Sequence, residues 1–403
     1  MLKFLRNLLN GFFADKHCNT VVINATNIGS HPSGIAVYTL ALLREFAKDR
    51  SGMRFIVYVN RNAREEISQI DFPTNFTIRW INKFTAPDYR FPGHLLRLLY
   101  ANLLALRHLR QPLFNTSQLE ACFFHPNQII TIHDIIPVLF KEFHGKQYYY
   151  FMYLLPLALR TARQIFTPSQ HTKMLLNTIF GISSEKIQVV HNGFQRLDIA
   201  SASPEIAPET PYLLYIGRLC PMKNIGALIE AFRQLSDRIP HKLVIVGEDE
   251  RYLDRTLKYD DFVNTAVKNG RIVFKKYLPK VEMFSLLRNA EVFVFPSLYE
   301  GFGMPVLEAM HCGCPVVTSF AASIPEVCGD AAFYTDPHNP GSIADGILSV
   351  LSDPQLRENL VEKGFRKASQ YRWERSAAHY LSTFRDAIAA TAVGESAPVS
   401  IRH

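Results

Sequence analysis

The stretch SLYEGFGMPVLEAMHCGCPVV, residues 297–317, places two carboxylates, Glu300 and Glu308, on either side of a Gly-x-Gly-x-Pro turn. Pro305 suits the first position of a new helix, where its missing N–H costs nothing. Gly301 and Gly303 remove side-chain bulk, so a ligand can approach the backbone N–H groups of Phe302, Gly303 and Met304 at the positive end of the helix dipole. Two chemistries are open to such a pair of acids. They can act as acid and base on a glycoside, which demands a defined separation that sequence spacing does not fix. Each can instead accept hydrogens from hydroxyls, which sugars present in vicinal pairs. Upstream, YIGRLCPMKN places Arg218 and Lys223 in a loop after an apolar run. A guanidinium fork and an ammonium at that position suit a pyrophosphate. Taken alone, the two are also what a solvated loop looks like.

The elements that must hold these groups alternate between strand and helix, the mark of parallel α/β sheets. Strands are expected at NTVVINATNI, RFIVYVN, FTIRWI, QIITIHDI, RQIFTPS and KIQVVHNG, with helices over 35–48, 148–162 and 171–180. The segment 196–211 is rich in Ala, Ser and Pro and reads as a linker. A second alternation follows, with strands YLLYIG, HKLVIVG, RIVFKKYL, EVFVFPS and PVVTS around helices that include 253–269. The expectation is two doubly wound Rossmann-like domains facing a central cleft, with ligands beyond the carboxyl ends of the strands. The domains are placed at 1–200 and 201–372, with a closing helix over 373–392 and a tail over 393–403.

Composition bounds the rest. The chain has 403 residues, enough for two cores. No apolar run reaches the roughly 18 residues of a membrane span, and 2–13 lacks the cleavage site of a signal peptide. The six cysteines have no framework or zinc-like spacing, which points to reduced thiols and a reducing, cytoplasmic setting. Residues 1–200 hold 22 Lys/Arg against 12 Asp/Glu, whereas 201–403 hold 22 against 24. The basic half suits anionic lipid or a phosphate-bearing acceptor, or is simply a soluble surface. The segments 2–13 and 94–111 combine cations with apolar stripes. They can lie on a membrane surface or dock onto the sheet as any α/β helix does.

The ordered set EGFGMPVLEAM…GCPVV, IGRLCPMKN…LIEAF, SIPEV, IHDIIP, FTPSQHTK and VVHNGF resembles the retaining GT-B glycosyltransferases of family 4, over about residues 20–390. Within that family the likeness leans toward bacterial mannosyltransferases of lipid-linked surface polysaccharides. The resemblance implies that Glu308 binds the ribose hydroxyls of a nucleotide-sugar donor and Glu300 the transferred sugar. It implies that Phe302, Gly303 and Met304 offer backbone N–H groups and that Arg218 and Lys223 hold the diphosphate. His133 would stand near the sugar and the acceptor, as a positioning donor or a general base. Gly34 would belong to the first-domain loop. That loop departs from the family pattern, reading Ser33-Gly34 in place of Gly-Gly, and Pro168-Ser169 replaces a usual Val-Ser.

No DxD triplet occurs, so neither a metal nor any other cofactor is expected. The reading implied is hexose transfer, with mannose from GDP-mannose the first choice, to a lipid-linked oligosaccharide at the inner face of the cell membrane, without nucleic acid. A UDP-sugar transferase of the same fold, a glycoside hydrolase and a non-catalytic sugar-nucleotide-binding protein are the alternatives. Release of free sugar from a simple glycoside would favour the hydrolase. Tight donor binding without turnover would favour the binding protein.

Overall fold

The computed structural model describes residues 19–30, 34–194, 210–247 and 260–393. The basic stretch 2–13, Ser33, most of the 196–211 linker, the start of the 253–269 helix and the tail from 394 lie outside the described residues. Contacts divide the chain into two units, Met1–Asn192 with Trp373–His403, and Gly193–Arg372.

The first unit is built on strands β1 (Thr20–Asn24), β2 (Arg54–Asn60), β3 (Phe76–Ile81), β4 (Leu113–Asn115), β5 (Gln128–Thr131), β6 (Gln164–Thr167) and β7 (Ile187–Val189). Their order is β3-β2-β1-β4-β5-β6-β7, and every pairing is parallel. The chain winds outward from β1 to one edge, then returns to β4 and winds to the other, so the switch point lies between β1 and β4. The apolar run of β1 is buried throughout because helices cover both faces of the sheet. Helix α1 (Gly34–Phe46) follows β1, and α2 (Arg90–Arg107) precedes β4. Strand β4 has no counterpart in the sequence reading. At three residues after Pro112, it is too short to show a period.

The expected single helix over 148–162 is interrupted. Tyr150–Leu154 form a π turn between helices Lys141–Tyr149 and Leu155–Thr161. Pro156 has no N–H to donate to the carbonyl four residues back, and the ladder widens there. The closing helix, Trp373–Val393, packs within the first unit. The Tyr38 hydroxyl donates to that of Tyr380 (2.6 Å), and Phe384 lies against Phe46 and Phe114 at 5.5 and 5.3 Å between ring centres.

The second unit repeats the plan with β8 (Tyr212–Ile216), β9 (Lys242–Val246), β10 (Ile272–Lys275), β11 (Val292–Phe295), β12 (Val316–Ser319) and β13 (Phe333–Thr335). The order β10-β9-β8-β11-β12-β13 is again all parallel, with the switch point between β8 and β11. Helices α3 (Ile225–Leu235) and α4 (Met304–His311) follow those two central strands. The cationic loop and the two-glutamate turn are thus the connections at the carboxyl ends of adjacent strands.

Candidate active site

At the end of β8 the backbone makes a close approach to β9. A Cβ on Gly247 would stand 2.0 Å from the Gly217 carbonyl oxygen, so only glycine fits there. Arg218 is exposed in the loop that follows, and buried Leu219 anchors it. Lys223 ends the short turn Pro221–Lys223. Asn224, in the left-handed region at φ 59°, donates its amide to the carbonyls of Pro296 (3.1 Å) and Pro337 (2.6 Å). The Leu298 N–H donates to the Met222 carbonyl (2.8 Å). The loop carrying Lys223 is therefore stitched from two sides to the loop carrying Glu300.

That stitching brings the Lys223 ammonium onto Glu300 Oε1, which also accepts from the Ser297 hydroxyl (2.7 Å). Ser323 holds the turn from below, its hydroxyl 2.9 Å from the carbonyl oxygens of both Glu300 and Phe302. Half-buried Cys220 feels both Lys223 and Arg218, so the two cations share one neighbourhood. Phe302 points its ring into the core against Tyr371, so its side chain is not offered to a ligand. Gly303 has φ +105°, and a Cβ there would stand 2.7 Å from Ile324 Cδ1. The backbone conformation therefore calls for glycine here whether or not a ligand approaches. Met304 opens α4 with Pro305 in its first turn, and no side chain caps the helix.

Glu308 is set apart from this cluster. Its carboxyl is half-buried on α4 and has no hydrogen bond or ion pair among the described residues. Burial pushes it up to about 7, and the nearby Lys280 ammonium partly offsets that rise. Glu300 is satisfied inside the protein. Glu308 is the acid whose acceptor capacity is left for something else.

In the first unit His133 is buried after β5. Its Nε2 donates to the Thr116 carbonyl (2.9 Å), and its backbone N–H donates to Gln118 Oε1 (3.1 Å). The Tyr38 ring meets it edge-on at 4.5 Å. Burial lowers the imidazole to about 4, so the ring is neutral at pH 7. With its one N–H given to Thr116, Nδ1 is an acceptor. With that N–H committed to Thr116, the ring has an acceptor rather than a donor to offer, whereas the sequence reading expected a positioning donor. Gly34 starts α1, is exposed, and a Cβ there would meet nothing within 4 Å. Neither packing nor backbone conformation calls for glycine at that position.

Several contributors escaped the sequence reading. Ser323 opens SIPEV and Ser297 stands three residues before Glu300, but neither position alone tells what the hydroxyl holds. Asn224, Lys280, Thr116 and Gln118 act through contacts that no spacing announces. Glu120, buried beside Gln118, pairs with Arg97 (3.3 Å) and with Ser117, bracing the loop that meets His133.

Two doubly wound parallel sheets, the second with paired cations and carboxylates at its switch point, define the GT-B class of α/β protein. Residues 198–367 match the model of glycosyl transferases group 1, and residues 32–195 that of glycosyltransferase family 4. The chain belongs to these glycosyltransferases. It is 28% identical over 384 residues to O-antigen chain mannosyltransferase B of Escherichia coli, covering 90% of this chain and 99% of the relative. Sucrose-phosphate synthase of Thermosynechococcus elongatus superposes with a TM-score of 0.73 at 19% identity, over 92% of this chain and all of that one (100%). Anabaena HepE, in complex with UDP and glucose, does so at 0.67 and 18%, over 91% and 99%.

Proposed function

We propose that the protein transfers a hexose with retention of configuration from a nucleotide diphosphate sugar, first choice mannose from GDP-mannose, to a lipid-linked oligosaccharide in surface polysaccharide synthesis. The observation that carries this reading is the Lys223–Glu300 pair at the switch point of the second sheet, with Arg218 close by. The likeness to an O-antigen mannosyltransferase supports the choice of mannose.

In this reading the donor diphosphate takes Lys223 and Arg218 as counter-charges, at the positive end of α4. Glu300, released from Lys223, accepts from hydroxyls of the transferred sugar, and Glu308 accepts from the ribose. The C–O bond to the diphosphate breaks as the acceptor hydroxyl attacks the same face. A departing phosphate oxygen takes the acceptor's proton. His133 Nδ1 accepts a sugar or acceptor hydroxyl hydrogen and stays neutral. The reaction as proposed uses no metal, because the cations and helix dipole meet the leaving charge. The acceptor places the protein at the periphery of an anionic membrane. Among the described residues no helix is long and apolar enough to cross one.

A thermal-shift screen of GDP, UDP and ADP sugars tests the donor. A ligand at a hundred times its Kd stabilises the fold by about 2.7 kcal/mol. GDP-mannose should give the largest shift. A larger shift with a UDP sugar would replace the base and the sugar, a choice the likeness to HepE keeps in view. No shift with any nucleotide sugar would sink the reading.

A further inference from the structure

We infer that the first unit carries a docking face for an anionic lipid bilayer, formed by the outer side of α2 and the helical segment packed beside it. This deepens the reading of a membrane-borne acceptor given above, and rests on it for its purpose though not for its observations.

Helix α2 is apolar on two sides. Its inner side, with Ala101, Leu104 and Ala105, packs against the sheet through Val22, Ile56 and Leu113. Its outer side presents Leu95, Leu96, Leu99, Leu103 and Leu106, which are 43–60% exposed. At about 100° per residue these five leucines fall within an arc of roughly 100°, with exposed Arg107 at its edge. A soluble surface does not need five leucines in one stripe.

The neighbouring segment continues the pattern. His94 meets the Tyr150 ring at 5.2 Å, and Leu98 packs on the core formed by Phe151, Leu155 and Ala158. The Asn102 side chain accepts from the Phe123 N–H (3.0 Å), tying the next loop alongside α2. This loop and segment leave Phe124, Tyr153 and Leu157 at 83%, 62% and 49% exposure. Phe124 is the most exposed of them, its ring meeting only the edge of its neighbour Phe123 among the aromatic rings of the described residues (6.4 Å between centres).

Charge selects the occupant. Residues 90–119 and 143–184 contain no Asp or Glu. Arg107, Arg110, Lys146 and Arg160 are exposed on or beside the elements that carry the apolar residues, as is one acid, Glu142, at the start of the helix that carries Lys146. Leucines and a phenylalanine suit the acyl boundary, a tyrosine suits the headgroup level, and a predominantly cationic rim suits lipid phosphates. A protein partner would have to supply an apolar counter-face and many acids at once, whereas an anionic bilayer offers both.

The test is co-sedimentation of the full chain with vesicles of equal parts phosphatidylglycerol and phosphatidylcholine. Binding at low salt should fall as salt rises and be weak on phosphatidylcholine alone. L99Q/L103Q/L106Q should lower partitioning about tenfold, and R107Q/R110Q should lower it several-fold at low salt only. Thermal melts of both variants report folding. A folded triple variant that sediments like the parent overturns the proposal, wherever the binding then resides, residues 2–13 included. If the triple variant does not fold, unchanged low-salt binding by R107Q/R110Q overturns it. Failure of the parent to bind, with self-association in light scattering, would assign the face to a second copy instead. Stabilisation by GDP-mannose is read on the same samples. Vesicle binding without it removes GDP-mannose as the donor and leaves this face standing, and the reverse sinks the face alone.

Discussion

The Lys223 ammonium pairs with the Glu300 carboxylate across 77 residues of sequence, joining the loops that leave two adjacent parallel strands. Both side chains are largely buried, at 19% and 10% exposure, so the pair is screened less by water and salt than a surface ion pair. It holds one cation and one acceptor in register before any substrate arrives.

Lys223→Ala should weaken binding of GDP or UDP by roughly tenfold to a hundredfold, the range for losing a charge-assisted contact to a phosphate. Isothermal titration checks this. Unchanged nucleotide affinity would remove Lys223 from the diphosphate site.

Glu300→Gln should separate the two halves of the donor. The nucleotide diphosphate alone should bind as well as before or better, since Lys223 is freed. Turnover of the sugar nucleotide should drop by about a hundredfold or more, as expected when an interaction made to the reacting sugar is lost. A parallel loss of nucleotide affinity would mean that Glu300 serves the fold and not the sugar.

Glu308 sets a pH-dependent cost. Its folded value of about 7 lies above its ordinary 4.5. Below pH 4.5 the group is protonated folded or unfolded and costs nothing. As pH rises toward 7 the unfolded chain releases its proton first, so stability is lost across that window and stays lost above it. Glu308→Gln should therefore be more stable than the parent at pH 8 by roughly 1–3 kcal/mol, and equal to it at pH 4. Donor affinity should fall in the same variant. Calorimetry at the two pH values decides, because an equal shift at both refutes the account.

The first unit should be acid-labile. Burial lowers His94, His125 and His133 to about 4, below their ordinary 6.5. Their neutral forms contribute stability above pH 6.5 that is lost as pH falls toward 4, by roughly 2 kcal/mol or more together. Both tryptophans, Trp80 and Trp373, belong to this unit, so tryptophan fluorescence during denaturant unfolding reads it directly. His125→Gln should flatten the slope, and an unaltered slope would clear His125 of any part in it.

The alternation of buried runs with amphipathic segments was enough to announce two parallel α/β units, because strands covered on both faces cannot alternate polar with apolar. The Gly-x-Gly-x-Pro turn was legible for a related reason. Glycine takes a left-handed position at no steric cost, and Gly303 starts α4 from one. Strands β4 and β13 were not legible, since sheet pairing makes them and their own three residues do not, whereas the equally short β7 lies in the longer run KIQVV. The break at Tyr150–Leu154 could have been read from Pro156.

The amino-acid sequence by itself determined which groups are available: two acids, two loop cations and a histidine, each in a connection or helix that follows a strand. Tertiary structure alone decided their states. It paired Glu300 with Lys223, left the Glu308 carboxyl in a half-buried place without a hydrogen bond or ion pair among the described residues, and left His133 an acceptor by giving its one N–H to Thr116. The physical reason is that charge state and hydrogen-bond sense depend on burial and on which group stands opposite, and these are set by contacts between segments far apart in the chain.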